Sequence, residues 1–428
     1  MSVGVFLIVC LVVFLFLGVP IAVSLGLTSV AYFFYTDNLR FLIVMAQRTF
    51  NGINSFELLA IPLFIIAGDL MYEGKISQAL VNLAKALVGS VRGSMAIVST
   101  VACMFFGAVS GSGPATTSAI ASVVSKGMNE DNYPPAFSAC AVAAAGPLGA
   151  LIPPSIMMVV YGVTTNTSVG KLLLAGVWPG LVFGGCLMLY EVYICRKYKY
   201  GSIIPFSFKT LTKEFVHAIP ALLTPTIILG GIYSGMFTPT EAGGAAVFYA
   251  LLIGVFWNKS IKWRDLPRIL KASSITTATI LLIIGNVSCF SFVLTREQIP
   301  EHLAAVAVQS LSASWQFLIV TNIIYIFAGM IENGSSAILM LAPILHPIAM
   351  KFGIDPVFFG AMTVANLAIG MITPPMAATL YISGRIFKVE IPQMIKGIMP
   401  FFVVMCIGLL LVCLTYPMVT WLPNLLMN

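Results

Sequence analysis

Gly107-Ala-Val-Ser-Gly-Ser-Gly-Pro-Ala-Thr-Thr-Ser118 interrupts a long apolar run with glycine, proline and hydroxyl side chains. Hydrocarbon offers unpaired peptide groups no partner, so non-helical backbone at membrane depth survives only where protein buries it or a solvated cavity meets it. The stretch is therefore a candidate binding site. Glu332-Asn-Gly-Ser-Ser336 breaks the other half of the chain in the same way. Each interruption is followed about forty residues later by a Pro-Pro pair inside apolar sequence, Pro153-Pro154 and Pro374-Pro375.

The surrounding composition explains why such breaks matter. Of 428 residues, 59% are hydrophobic and 9% charged, and the mean hydropathy is +1.01; a soluble domain carries roughly 25% charged residues. The chain reads as an all-α polytopic membrane protein. Its formal charge of +7 is of the kind that basic residues flanking membrane spans produce, and no separate basic domain exists to bind nucleic acid. Seven of the eight cysteines lie in apolar runs, with no CxxC or Cys/His pair at metal-ligand spacing. The apolar N-terminus lacks a basic n-region and a small-residue cleavage site, so it reads as a retained helix rather than a signal peptide.

Apolar windows predict ten crossings, at about 3–18, 20–36, 57–73, 133–163, 171–195, 217–235, 239–257, 272–295, 355–385 and 396–422. Segments 94–127 and 314–350 each carry a Gly/Ser break near the middle, which leaves arms of about 15 residues, too short to cross at 1.5 Å per residue. Each is expected to be a re-entrant hairpin of two half-helices. Four amphipathic stretches, 40–54, 76–92, 258–271 and 298–312, are expected at the interface; in the second, Ile76, Leu80, Leu83, Ala84 and Leu87 share one helical face.

The two halves repeat. Pro20 matches Pro239 at an offset of 219, Gly68-Asp69 matches Gly285-Asn286 at 217, Gly111-Ser112 matches Gly334-Ser335 at 223, and Gly149 with Pro153-Pro154 matches Gly370 with Pro374-Pro375 at 221. Five crossings and one hairpin per half make an odd number of crossings, which forces opposite orientations. The expected organisation is a first inverted repeat at 1–195, with hairpin 94–127 and broken helix 133–163, and a cytoplasmic linker at 196–216. A second repeat at 217–428 holds hairpin 314–350 and broken helix 355–385, an arrangement found in secondary transporters. An outside N-terminus places 17 basic residues inside and 5 outside, Arg48 among the latter. Both termini are then expected to be periplasmic.

Two tips beside two broken helices offer free N–H groups, which suit a carboxylate, and free carbonyls and hydroxyls, which suit a small hard cation such as sodium. Around the first tip the oxygens come from Ser110, Ser112, Thr116, Thr117 and the backbone of 146–152. Around the second they come from Asn333, Ser335, Ser336, Asn366, Thr373 and the backbone of 367–373. Thr238-Pro239-Thr240-Glu241 is instead a helix-starting capping box. Asp69 is a rare intramembrane carboxylate that could serve a proton or ion path, and Glu191 reads as an interfacial partner of Arg196. An intramembrane serine hydrolase would need a base near Ser110 or Ser112, and the one histidine in a hairpin, His346, lies about eleven residues from the second tip. A channel would not need two repeat-related tips. No Walker motif suggests ATP-driven pumping.

Ile61-Pro-Leu-Phe-Ile-Ile-Ala-Gly-Asp-Leu-Met71, Ser110-Gly-Ser-Gly-Pro-Ala-Thr116, Leu151-Ile-Pro-Pro-Ser-Ile156 with Tyr161-Gly162, Phe237-Thr-Pro-Thr-Glu-Ala-Gly243 and Ile372-Thr-Pro-Pro-Met376 together resemble the large membrane subunit of a tripartite ATP-independent periplasmic (TRAP) transporter. The resemblance runs over nearly the whole chain. It implies an elevator-type, sodium-coupled importer of small organic acids, such as sialic acid or C4-dicarboxylates, in the bacterial inner membrane and without an organic cofactor. A stand-alone sodium or proton symporter of organic anions is the alternative. The resemblance also implies two partners, a small four-helix membrane subunit on a separate chain and a periplasmic solute-binding protein. Carried onto this sequence, a first sodium site falls at Ser110, Ser112, Gly146 and Gly149, and a second at Gly334, Ser335, Gly370 and Thr373. The substrate carboxylate is expected between the tips, near Thr116, Asn333 or Asn366. Many relatives have a serine where this chain has Gly113, so backbone ligation is the firmer expectation there.

Overall fold

The computed structural model describes residues 3–427 apart from 39, 204 and 312. Among the described residues all regular structure is helical. The chain begins with α1 (Val3–Phe16), α2 (Ile21–Tyr35), α3 (Phe41–Ile53), α4 (Ala60–Glu73) and α5 (Ser77–Val88), then the pair α6 (Ser94–Ser110) and α7 (Gly113–Glu130). Next come α8 (Pro135–Ala145), the single turn α9 (Leu148–Leu151) and α10 (Ile156–Thr165), interrupted at Pro153-Pro154, followed by α11 (Val169–Ala175) and α12 (Val177–Tyr198). The second half opens with α13 (Phe208–Tyr233), α14 (Pro239–Leu251), α15 (Leu266–Arg296) and α16 (Ile299–Ser310). It continues with the pair α17 (Ser314–Ile331) and α18 (Gly334–Lys351), with α19 (Pro356–Gly370) and α20 (Ala378–Phe387) flanking Pro374-Pro375, and with α21 (Ile391–Leu414) and α22 (Tyr416–Leu426).

The ten expected crossings all fall on apolar helices. Five contain single helices long enough to span, two belong to bent pairs, α3 with α4 and α8–α9 with α10, and three rest on the shorter apolar helices α1, α2 and α19. The expected link of 196–216 is narrowed at both ends, because α12 continues to Tyr198 and α13 starts at Phe208 with Ser207 as its cap; the described residues between them are not helical. Segment 258–271 also differs from a surface helix. Residues from Leu266 onward belong to α15, which Pro267 starts, and its 31 residues reach about 46 Å, beyond the hydrocarbon. Its basic end therefore lies in water, where Arg268 pairs with Glu73 at 2.9 Å. The predicted face of α5 is mostly buried, at Ile76, Leu80, Leu83 and Ala84; Leu87 remains 41% exposed.

The arms of the two hairpins, with 17 residues in α6 and 18 in each of α7, α17 and α18, are longer than the expected 15. Length alone would let them cross. Their tips nevertheless end inside the molecule, against the breaks of helices that are themselves spans. The centre is fully buried: every residue from Ser138 to Ala145, nearly all small, and every residue from Val357 to Gly370 is buried, the latter including the bulky Phe358 and Phe359. The small residues of α8 let it approach its neighbours closely, as membrane helices do when packing must replace the hydrophobic effect. The halves interlock there, α20 packing on α7 and α8, and α10 on α18. Around this centre, α15 packs on α2 and α3, α4 on α14, α13 on α5, and α12 on α21.

Candidate functional site

The first tip turns at Gly111, whose φ of 63° is open to glycine at little cost. A side chain there would also strike the Pro154 carbonyl. The Gly111 carbonyl accepts a hydrogen bond from Ile156 N at 3.4 Å, so the tip is tied directly to the first Pro-Pro break. Ser110 Oγ and Thr116 Oγ1 share a hydrogen bond of 2.8 Å in a buried position, and Ser110 Oγ approaches the Ser112 carbonyl at 3.4 Å. Beneath them lie two residues without side chains. Thr117 fills the space a Cβ would need at Gly146, and Thr116 fills that at Gly149, where the Ser112 carbonyl would be only 3.0 Å away. Two hydroxyls, the Ser112 carbonyl and the adjacent bare backbone thus form an oxygen-rich cradle that fits a small hard cation.

The second tip is organised differently. Glu332 and Asn333 are extended, and the Asn333 side chain caps α18 by accepting from Ser335 N at 3.3 Å. Gly334, Ser335 and Ser336 are buried, and among the described residues neither serine hydroxyl has a hydrogen-bond partner. Thr373 Oγ1 donates to the Ile369 carbonyl at 2.7 Å, within its own chain turn, and Thr379 Oγ1 donates to Met371 O at 3.0 Å. Met376 N donates to Met330 O at 2.9 Å, which ties the second break to its hairpin.

The two tips meet the same methionine. A Cβ on Gly113 would lie 2.8 Å from Met371 Sδ, and one on Gly334 would lie 3.5 Å from Met371 Cε and in collision with Met157. Met157 follows the first break and Met371 opens the second, so each break contributes one thioether to the space beside the opposite half's tip.

Of the sequence-predicted residues, Ser110, Ser112, Gly146, Gly149 and Thr116 come together at the first tip. Gly334 and Ser335 line the second, with Gly370 and Thr373 at the break beside it. Asn333 is exposed at the second tip. Asn366 lies fully buried one turn before Gly370, and its amide donates to Asn322 on α17 and to Met362 O. Its amide therefore points sideways into the α17–α19 contact.

Asp69 accepts from Ser273 at 2.5 Å, a link between α4 and α15, while its neighbour Gly68 presses on the Ser110 carbonyl. Glu191 is a correction: it is fully buried and accepts from Thr100 Oγ1 at 2.8 Å, with no ion pair to Arg196 among the described residues, because its helix face turns toward α6. Ser110 and Ser112 have no histidine partner among the described residues; His346 shares its hydrogen bond with Tyr161 at 2.8 Å. Sequence reasoning missed the glycine crossings. Gly107 faces Gly149, and Gly329 faces Gly370, with backbone against backbone in both halves. Gly107 and Gly329 are 222 residues apart, within one residue of the 221 that separates their partners Gly149 and Gly370, and that match was the available signal.

The profile of the family described as "Tripartite ATP-independent periplasmic transporter, DctM component" matches residues 8–418. The C4-dicarboxylate TRAP transporter large permease protein DctM of Rhodobacter capsulatus is 38% identical over 97% of this chain and 98% of that protein. The sialic acid TRAP transporter large permease protein SiaM of Vibrio cholerae is 36% identical over 97% of each. An isethionate TRAP transporter permease protein, DctMQ of Oleidesulfovibrio alaskensis, is 38% identical over 93% of this chain and 63% of its own length. Among solved structures, the YdaH transporter of Alcanivorax borkumensis superposes with a TM-score of 0.61 over 90% of both chains at 17% identity, a likeness of fold. Relatives of this kind are permeases of tripartite systems and not enzymes, and the chain belongs to the DctM component family of tripartite ATP-independent periplasmic transporters.

Proposed function

We propose that this chain imports a small organic acid, of the C4-dicarboxylate, sialic acid or isethionate type, by sodium-coupled secondary transport across the bacterial inner membrane. The observation that carries the reading is the pair of tips, one oxygen-lined and one with free serine hydroxyls, each bonded to a Pro-Pro break and both touching Met371. Sodium would be held as co-transported cargo by the Ser110 and Thr116 hydroxyls with the Ser112 carbonyl, and at the second tip by Ser335 with backbone near Gly370 and Thr373. Positive charge there offsets the charge of an incoming carboxylate, and the free N–H groups at the start of α18 orient it.

The hairpins and broken helices, α6 to α10 and α17 to α20, interlock as one body, and an elevator movement of that body against the remaining helices would carry anion and cation together. The repeats at 1–195 and 217–428 would then lie in opposite orientations with both termini periplasmic. A small four-helix membrane subunit would bind the outer helices, a pairing in keeping with the longer DctMQ relative, and a periplasmic solute-binding protein would deliver the acid.

Uptake of labelled succinate, N-acetylneuraminate and isethionate into proteoliposomes, with the small subunit and with or without the binding protein, tests this reading. Uptake that needs both an inward sodium gradient and the binding protein is the expected result; uptake independent of the binding protein would make the chain a stand-alone symporter. In the same assay Ser110→Ala and Ser335→Ala, which remove hydroxyls proposed to hold the ion, should raise the half-saturating sodium concentration, and an unchanged sodium dependence in both would remove these sites from consideration.

A further inference from the structure

Away from the tips, a cavity of about 460 Å³ opens between two groups of helices. Arg48 and Asn51 on α3 line one side, Ser288, Ser291 and Thr295 on α15 another, and Thr164 on α10 the third, with Leu339 of α18 closing it. The lining holds a single charge, and it is positive. No carboxylate lies within ion-pair distance of Arg48 among the described residues. Its guanidinium instead sits 4.9 Å from the Phe292 ring centroid, a contact that fixes the fork without neutralising it.

The helix that carries Arg48 packs closely on α15. A side chain at Gly52 would run into Ser288, and one at Gly285 would lie 2.9 Å from Thr49 Cγ2, so α3 and α15 pack closely over the turn that follows the arginine. An anion binding here would meet a fork already in place and lose little to ordering. The cavity also shares two helices with the candidate site. Leu339 is five residues beyond Gly334 at the second tip, about 8 Å along α18. Thr164 is eight residues beyond Ile156 at the first break, about 12 Å along α10.

We propose that this cavity is a capture site for the acidic group of the organic acid, a carboxylate or, in isethionate, a sulfonate, on the outer side, with Arg48 the residue that selects for the anion and the surrounding hydroxyls and Asn51 taking its remaining polar groups. The inference rests on the transport reading above and on the outer placement of Arg48. A guanidinium matches a carboxylate with two parallel hydrogen bonds, and it matches a lipid phosphate equally well, so the test separates these sources.

With the acid that wild-type proteoliposomes accept from the panel above, Arg48→Gln should lower initial uptake at limiting acid about tenfold, the loss of one charge-assisted contact, and leave the half-saturating sodium concentration unchanged. Arg48→Lys, which keeps the charge and loses the fork, should fall between. Arg40→Gln, at the N-terminal cap of the same helix but outside the cavity, should behave as wild type. Equal uptake by Arg48→Gln and wild type overturns the capture site, as does an effect that disappears in vesicles without anionic lipid. A parallel loss of affinity for the empty binding protein, measured by its inhibition of uptake, would make Arg48 a protein-docking residue and equally overturn it. Wild type that takes up none of the three acids brings down the transport reading and this one together; wild type that works while Arg48→Gln is unaffected brings down only the capture site.

Discussion

The first and second hairpin tips occupy corresponding places in the two halves, yet they satisfy their polar groups in opposite ways. At the first, Ser110 and Thr116 bond each other, so the hydroxyls face inward on a common point above Gly149. At the second, Thr373 bonds the carbonyl of its own helix, and Ser335 and Ser336 keep unbonded hydroxyls. The shared element is the bare glycine crossing beneath each tip, Gly107 with Gly149 and Gly329 with Gly370. Backbone geometry is thus common to both halves while side-chain chemistry diverges, which is what an arrangement of two non-equivalent sites on one symmetric frame requires.

The crossings give the largest effect. A Cβ on Gly370 would meet the backbone of Gly329 at 2.5 Å, and backbone cannot rotate away. Gly370→Ala should therefore cost about 3 kcal/mol, read as a lower melting temperature of the detergent-purified protein. At Gly149 the main obstacle is instead the Thr116 side chain. Gly149→Ala and Thr116→Gly should then be non-additive, the pair being more stable than the sum of the singles by about 1 kcal/mol. Additive losses would mean that Thr116 does not close over Gly149.

A smaller effect separates the hydroxyls. Ser110→Ala leaves the Thr116 hydroxyl without its partner in a buried position, a loss of about 2 kcal/mol. Thr373→Ala removes a bond to a carbonyl that also accepts from Ile372 N, so its cost should be about 0.5 kcal/mol. Equal melting temperatures for the two variants would break the contrast between a self-bonded first tip and an open second one.

Much of this frame was legible in the sequence because membranes restrict what sequence can mean. Gly/Ser and Pro-Pro breaks in apolar runs have few structural solutions, and their matched offsets located both tips and both breaks. Asn366 and Glu191 show where that reasoning stops. Hydropathy places them on a helix within the membrane, but which neighbour a polar side chain meets depends on helix rotation, and only packing reveals Asn322 and Thr100 as their partners. Met157 and Met371 were equally silent, since a methionine in an apolar run carries no sign of the backbone it covers. Arm length misled for a related reason: α17 and α18 have enough residues to cross, and it is the burial of Gly334, Ser335 and Ser336 at the start of α18, with Met157 and Met371 beside Gly334, that marks this tip as internal.

A further effect, small beside that of the glycine crossings, lies outside both tips and tests whether the halves differ in stability as well as chemistry. Helix α14 begins with a complete capping box, in which Glu241 N donates to Thr238 Oγ1 at 3.2 Å and Thr238 N donates to Glu241 at 2.8 Å. Its repeat counterpart α2 begins at Pro20 with no side-chain cap. Thr238→Ala should cost about 1 kcal/mol, while the same assay should find sodium and acid dependence unchanged, because the box satisfies only the first turn of an outer helix. If the cost is instead near zero, water already serves those N–H groups in α14 as it must in α2, and the box adds definition to where the helix starts rather than stability. If uptake falls with stability intact, the start of α14 would belong to the surface against which the hairpin body moves, and the two halves would differ in mechanism where they now differ only in the way one helix begins.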